Sequence, residues 1–239
     1  MRNAMADPHI IGVSSGAGLF GIATLVMFPA YAYLVTPAAF VGAPLAAALV
    51  YALSWNNGVS PGRIILAGVA VSAFFSSGVS GLLTFFSNRV DGALLFMVGG
   101  LSAKSWPHLQ LLLPYSAAGV LLAMTAGQRM NILMLGDSDA RGLGLHVEQT
   151  RSLVTAAAAL LSASAVSVVG LLGFVGMIVP HAARSLVGGD YRLLLPAAAL
   201  LGTAVLTTFD TLARVLFAPV EPPVGIIMGA VGAPFFYTY

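Results

Sequence analysis

The sequence predicts an all-α fold, a polytopic bundle of transmembrane helices, and three observations carry that prediction. Of its 239 residues 59% are hydrophobic and only 8% are charged, against roughly 25% charged in an ordinary soluble domain. The apolar stretches are long and continuous, with no charged residue between Pro8 and Gly62, whereas a transmembrane barrel shows segments of about ten residues alternating in polarity. Finally, glycine (27 residues) and alanine are abundant throughout, and small residues let membrane helices approach closely where no hydrophobic force drives them together.

About 20 apolar residues cross a bilayer, so the first charge-free run holds more than one crossing. Pro29 and Pro37 place the break, giving a first helix from about Gly12 to Phe28 and a second from about Ala38 to Ser54. Tyr31, Tyr33 and Trp55 fall near their ends, where interfacial aromatic residues sit. W-N-N-G-V-S-P-G then reads as a turn. Ile64 to Phe86 is the third helix, a long connection follows, and Leu109 to Ala126 is the fourth. The charge-free run from Ser152 to Pro180 is too long for one straight crossing, and G-L-L-G (Gly170 to Gly173) breaks it. That gives a fifth helix, Leu153 to Val169, and a short sixth, Phe174 to Leu186, interrupted by Pro180 and His181. After a turn at Gly188, Gly189 and Asp190, the seventh helix runs from Leu193 to about Phe217, and the stretch from Glu221 to Tyr239 supplies an eighth. About eight membrane segments thus form one transmembrane domain over residues 1–239.

Between the fourth and fifth helices lies the most polar part of the chain, residues 129–152, with Arg129, Asp137, Asp139, Arg141, Glu148 and Arg151. An apolar chain that keeps such an island exposes it to water, and the expected use is to grip a partner. With the island in the cytoplasm, Arg2, Arg63, Arg129, Arg141, Arg151, Arg184 and Arg192 share its side, and only Arg89, Lys104 and Arg214 lie opposite. This satisfies the positive-inside rule. If the short sixth segment did not cross, Arg184 and Arg192 would change sides with Arg214 and the bias would shrink.

Four motifs in order resemble the permease subunit of bacterial ABC importers for iron-siderophores, haem and cobalamin: A-D-P-H-I-I-G-V-S-S-G-A-G (Ala6 to Gly18), L-G-D-S-D-A-R-G-L-G (Leu135 to Gly144), G-F-V-G-M-I-V-P-H-A-A-R (Gly173 to Arg184) and P-V-G-I-I-M-G-A-V-G-A-P-F-F (Pro223 to Phe236). The resemblance implies an inner-membrane location and a pair of permeases, identical or homologous, around a central pathway. It also implies two cytoplasmic ATPase subunits below and an extracytoplasmic binding protein above. Such permeases usually have ten helices, and this chain starts where the third would begin. By the same resemblance Leu135, Gly136, Asp137, Ser138, Asp139, Ala140, Arg141, Gly142, Leu143 and Gly144 form the ATPase-coupling loop, a pair of short helices. Asp137 or Ser138 can cap a helix starting at Asp139, and Gly142 and Gly144 can end it. Ile132, Leu133 and Leu135 are suited either to packing on the bundle or to entering an ATPase groove. The simpler alternative is a solvated loop whose charges only fix orientation.

The same resemblance implies that Arg214, with Glu221, docks the binding protein. The plainer role for Arg214 is an i, i+4 pair with Asp210, a surface contact worth about 0.3 to 0.5 kcal/mol. The family reads E-L-P-V-G where this chain has E-P-P-V-G, with Pro222 at the difference. Gly68, Ser72, Ser76 and Ser80 recur every four residues on the third helix, a face that either lines a passage or packs on a neighbour.

Other chemistries are poorly served. The ten basic residues are scattered singly, which makes no nucleic-acid patch. The four histidines, at 9, 108, 146 and 181, have no metal-ligand spacing, and there is no cysteine. G-V-S-S-G (Gly12 to Gly16) fits the pattern of a serine nucleophile elbow, but that needs a strand before it. The single lysine, Lys104, belongs to no phosphate-binding loop, so ATP and Mg would sit in a partner and this chain needs no cofactor. The rival of another class is an ion-coupled secondary transporter, for which Asp210 is the nearest ionisable candidate. No cleavable signal peptide is expected at the start.

Overall fold

The computed structural model describes residues 12–55, 61–102 and 104–237. Among the described residues ten α-helices occur in order: α1 (Val13–Met27), α2 (Val35–Ser54), α3 (Pro61–Phe85), α4 (Val90–Val98), α5 (Trp106–Met134), α6 (Asp137–Gly142), α7 (Val147–Val169), α8 (Val175–Val187), α9 (Tyr191–Leu216) and α10 (Val224–Tyr237). No strand occurs among the described residues. Five helices, α2, α3, α5, α7 and α9, are long and apolar enough to cross a membrane, and α1 and α8 are shorter apolar helices. Large apolar side chains such as Leu66, Phe74 and Leu200 are more than 70% exposed on them. In water so many exposed apolar groups would be a liability; against lipid they need no cover.

The interior is built from small residues, which sets how close the helices come. Val13 and Ala17 of α1, Ala39 and Ala43 of α2, and Ala159, Ala163 and Val166 of α7 form one core cluster. At the α1–α2 crossing a Cβ on Gly16 would collide with the Gly42 carbonyl, and a Cβ on Gly42 with that of Gly16. Further along α1, Ile22 and Val26 pack with Val79 of α3 and Ala93 of α4. α1 is therefore central, while α5 and α9 lie at the edge, flanking a cavity of about 590 Å³ shared with α7 and α8.

Hydrogen bonds give the bundle two ends. At one, Thr36 Oγ1 donates to the Ser167 carbonyl (3.1 Å), the Gly100 N–H to Val169 (2.9 Å), the Leu171 N–H to Phe96 (3.0 Å) and the Gly225 N–H to Gly99 (3.3 Å). At the other, Tyr51 Oη meets Ser152 Oγ at 3.0 Å and Asn131 meets the start of α9. The α8–α9 turn therefore sits at the same end as α6, which puts Arg184 and Arg192 with the polar island.

Several expected boundaries move. The long connection before Trp106 contains α4, whose nine residues are too few to cross a membrane and so offered no apolar run long enough to read as a span. α5 does not stop at Ala126 but continues to Met134, for about 43 Å of helix. Gln128 and Arg129 are ordinary helix formers, and polarity there marks where the helix leaves the apolar zone, not where it ends. α2 begins at Val35, before Pro37, because a proline in the first turn removes an N–H that has no helical partner. The expected turn at Asn56 to Ser60 and the start of the first motif, Ala6 to Ile11, lie outside the described residues.

Candidate functional site

The polar island folds as a short helix hung between two long ones. α6 starts after Gly136, whose φ of 120° and ψ of 162° suit glycine alone. Contrary to the expected cap, no side chain caps α6, and the helix begins at Asp137, two residues early. Gly142 is its last residue, and Gly144 (φ +80°) turns the chain toward α7. There is one short helix here among the described residues, not a pair.

Asp137 is withdrawn from capping by a stronger partner. Arg151, in the second turn of α7, donates from Nη2 to both Asp137 oxygens, at 2.8 and 3.0 Å. The Arg151 side chain is 15% exposed and that of Asp137 43%. Glu148 approaches Arg151 at 3.6 Å from one turn before. The pair fastens α6 onto α7, and Ala140, fully buried, seats its inner side. Of the ten predicted residues, Gly136 and Ala140 are thus buried and Asp137 is tied inward. Leu135, Ser138, Asp139, Arg141, Gly142, Leu143 and Gly144 are exposed, while Ile132 and Leu133 lie half-buried on α5. A charged, rigidly mounted outer surface is what a partner could push on.

Beside it, the amide of Asn131 in the last turn of α5 donates to Asp190 Oδ1 (2.6 Å) and accepts from the Tyr191 N–H (2.9 Å). Asp190 caps α9, accepting from the Arg192 N–H at 2.9 Å. That backbone donor, then the Asn131 amide and the nearby Arg192 charge, hold the Asp190 carboxyl below the ordinary carboxylate range. A depressed acid contributes stability above its unfolded value and loses it as pH falls through its folded one. Heat stability of the purified protein is therefore expected to drop below the usual carboxylate range, and the drop should shrink in Asp190→Asn, as thermal melts at graded pH would show.

The other predicted residues separate. Arg214 Nε pairs with Asp210 Oδ2 at 2.9 Å, and its Nη1 lies 3.9 Å from Glu221. All three are at the end opposite α6, and Arg214 remains 42% exposed. Gly68, Ser72, Ser76 and Ser80 do not share one face. Each step of four turns a helix 40° past a full circle, so the last is about 120° from the first. Gly68 and Ser72 pack under the start of α1, where Ser15 Oγ donates to Ser72 Oγ at 3.4 Å, whereas Ser76 and Ser80 are exposed. Ser14, the serine of the elbow pattern, is a buried residue inside α1. No cluster of metal-ligating side chains occurs among the described residues. Sequence reading missed the partners of Asn131 and Arg151 because both reach across gaps that no local pattern spans, although Gly-Gly-Asp before an apolar helix was a visible capping signal.

Comparison with known proteins agrees with this architecture. The chain is 42% identical over 236 residues to a cobalamin import system permease protein of Halobacterium salinarum, covering 98% of this chain and 63% of that one. It is 38% identical to an Fe(3+)-citrate import system permease protein of Bacillus subtilis (98% and 70%) and 37% identical to a hemin transport system permease protein of Yersinia pestis (98% and 72%). The chain therefore spans about two thirds of the length of these relatives. A solved structure presented as an inward-facing, metal-chelate type ABC transporter superposes with a TM-score of 0.92 at 29% identity, covering 99% of this chain and 77% of that one. The FecCD transport family matches residues 1–239 from end to end. With a helical membrane fold of this kind and a match of that extent, the chain belongs to the FecCD transport family.

Proposed function

We propose that the chain is the membrane permease of an ATP-driven importer and forms, with a second permease, the pathway for a metal chelate. An iron chelate of the siderophore type is the first expectation for cargo, then haem or cobalamin, in keeping with the range of relatives. The single observation that supports the reading most is α6: a short helix bolted to α7 through Asp137 and Arg151, with its charged outer side turned to solvent. An ATPase can spend free energy on transport only if its motion is transmitted mechanically, and a loose loop would absorb that motion.

Two cytoplasmic ATPase subunits would hold ATP and Mg and press on α6 from Leu135 to Gly144. Their closure would reshape the interface between permeases and expose the pathway to one side at a time. A binding protein outside would deliver the chelate to the end bearing Arg214 and Glu221. Ser76 and Ser80, exposed on α3, are the better pathway candidates of the four serine and glycine positions, because Gly68 and Ser72 are occupied in packing. No bond is made or broken by residues of this chain. The secondary-transporter alternative loses support from Asp210, which is paired with Arg214.

The test is uptake of ferric citrate, haemin or cobalamin into vesicles holding the permease with its ATPase and binding protein. Uptake is expected to require ATP and the ATPase; uptake driven by a proton gradient alone would overturn the proposal. In the same system Arg214→Glu is expected to weaken binding-protein docking about tenfold or more, since a rim charge reversal costs at least about 1.4 kcal/mol through repulsion. An unchanged Kd by surface binding assay would remove Arg214 from the docking surface.

A further inference from the structure

The Asp137–Arg151 pair ties α6 to α7, and a second polar contact ties α5, the helix that leads into α6, to α9. It leaves from the last turn of α5, where Asn131 stands five residues before Gly136. Its carboxamide is used at both atoms: Nδ2 donates to Asp190 Oδ1 at 2.6 Å and Oδ1 accepts from the Tyr191 N–H at 2.9 Å. The opposite orientation of the amide would set oxygen against carboxylate and NH2 against N–H, so the pairing fixes both rotamer and register. One turn earlier on the same side of α5, Gly127 lies against α9: a Cβ there would come within 3.6 Å of the Arg192 nitrogen and 3.7 Å of its Cα. The start of α9 thus rests on the end of α5, pinned by a two-point contact.

The pin matters because α9 is lightly held. Only 6% of its apolar span is buried inside the protein, against 39% for α7, so a fixed polar point at its start adds to its packing against α5, α8 and α10. Beyond the pin, Tyr191 meets the α8 residue Arg184, Oη to Nη2 at 3.4 Å, with the guanidinium 5.9 Å from the ring centroid. Movement delivered to the end of α5 has a continuous polar route to α9 and then to α8.

We propose that Asn131 and Asp190 form a latch through which displacement of α6 reaches α9 and α8, making them positioning residues for transport. This rests on the reading of the chain as an importer permease. It differs from the Asp137–Arg151 pair, which seats α6 itself. The latch gives the motion of one short helix a second outlet, on the side of the bundle away from α2.

The experiment reconstitutes permease, ATPase and binding protein in liposomes and measures uptake and ATP hydrolysis together. The probe is whichever of ferric citrate, haemin or cobalamin the unaltered complex imports. Asn131→Asp sets two carboxylates together and removes the donor. It is expected to cut uptake per ATP hydrolysed about tenfold, a size usual for coupling between sites, while hydrolysis by the assembled complex persists. The exchange Asn131→Asp with Asp190→Asn restores donor to acceptor and leaves the new carboxylate to take the Tyr191 N–H, so it should recover most of the lost coupling. Should Asn131→Asp fail to assemble, Asn131→Ala is read in the same way. A merely structural contact would lower uptake and hydrolysis together, in proportion to folded complex, and that result overturns the latch. So does an exchange variant no better than the single one. Uptake by the unaltered complex that ignores ATP would instead overturn the importer reading, and the latch with it.

Discussion

Arg151→Ala is expected to reduce ATP-driven uptake about tenfold or more while leaving the helical bundle inserted and folded. Arg151 is mostly buried and holds Asp137 by two hydrogen bonds from one nitrogen. Hydrogen bonds to charged groups contribute about 1.5 to 3 kcal/mol when well buried. Asp137 is 43% exposed, so solvent screening reduces the net value of the pair to about 1.5 kcal/mol. That is still close to a tenfold change in how often α6 is seated. Because the pair lies outside the apolar core clusters, its loss should free α6 without unfolding α5 or α7. Arg151→Lys keeps the charge and should recover part of the activity. Asp139→Lys changes only the exposed side of α6 and should lower co-purification of the ATPase without loosening the helix. Uptake by Arg151→Ala at the unaltered rate would show that the seat of α6 is irrelevant to coupling.

The largest effect on stability is expected from Gly170→Ala, about 3 kcal/mol or more. Gly170 holds φ +87° with ψ −163°, a region essentially reserved for glycine that costs an L side chain about 1 to 3 kcal/mol. The added methyl would also run into the Phe96 carbonyl and lie 3.2 Å from the Gly99 Cα, and such backbone neighbours cannot rotate away. Overpacking of this kind costs about 1 to 3 kcal/mol. The site is a junction: the Leu171 N–H donates to Phe96, the Gly100 N–H to Val169 and the Gly225 N–H to Gly99. A shift at Gly170 would therefore disturb α4, α7 and α10 at once. Gly173→Ala is the control, since a Cβ there meets nothing within 4 Å. Survival on heating in detergent, followed by size-exclusion chromatography, should separate the two variants clearly. Equal melting curves would mean that the junction relaxes at little cost.

Charge and apolar length made much of this molecule readable. Prolines and glycines at Pro29, Gly170 and Gly188 mark breaks because they act on their own stretch of backbone, whatever is packed nearby. Each of the eight expected segments coincides with a helix among the described residues, though five of those helices are long and apolar enough to cross a membrane. α4 was not among the expected segments, since nine residues with Asp91 and Gly92 in the first turn carry neither the length nor the pattern of a span. The extra two turns of α5 were hidden for the converse reason. A helix continues wherever its backbone bonds do, but the sequence shows only where the apolar environment stops.

The sequence by itself determined that the chain is a helical membrane protein, that residues 129–152 form its polar island, and which four motifs it carries. Each of these depends on properties that add up along the chain: hydropathy, charge and the backbone limits of proline and glycine. Only the tertiary structure decided that Asp137 turns away from capping to meet Arg151, that Asn131 reaches Asp190, and that Gly68 and Ser72 part company with Ser76 and Ser80. Those outcomes depend on which helices become neighbours. Partners 14 residues apart in one case and 59 in the other are brought within hydrogen-bond reach by packing, and no spacing rule along one helix encodes that. The face of α3 divides for the same reason: a repeat of four drifts around the helix, and α1 covers only the part that happens to point at it.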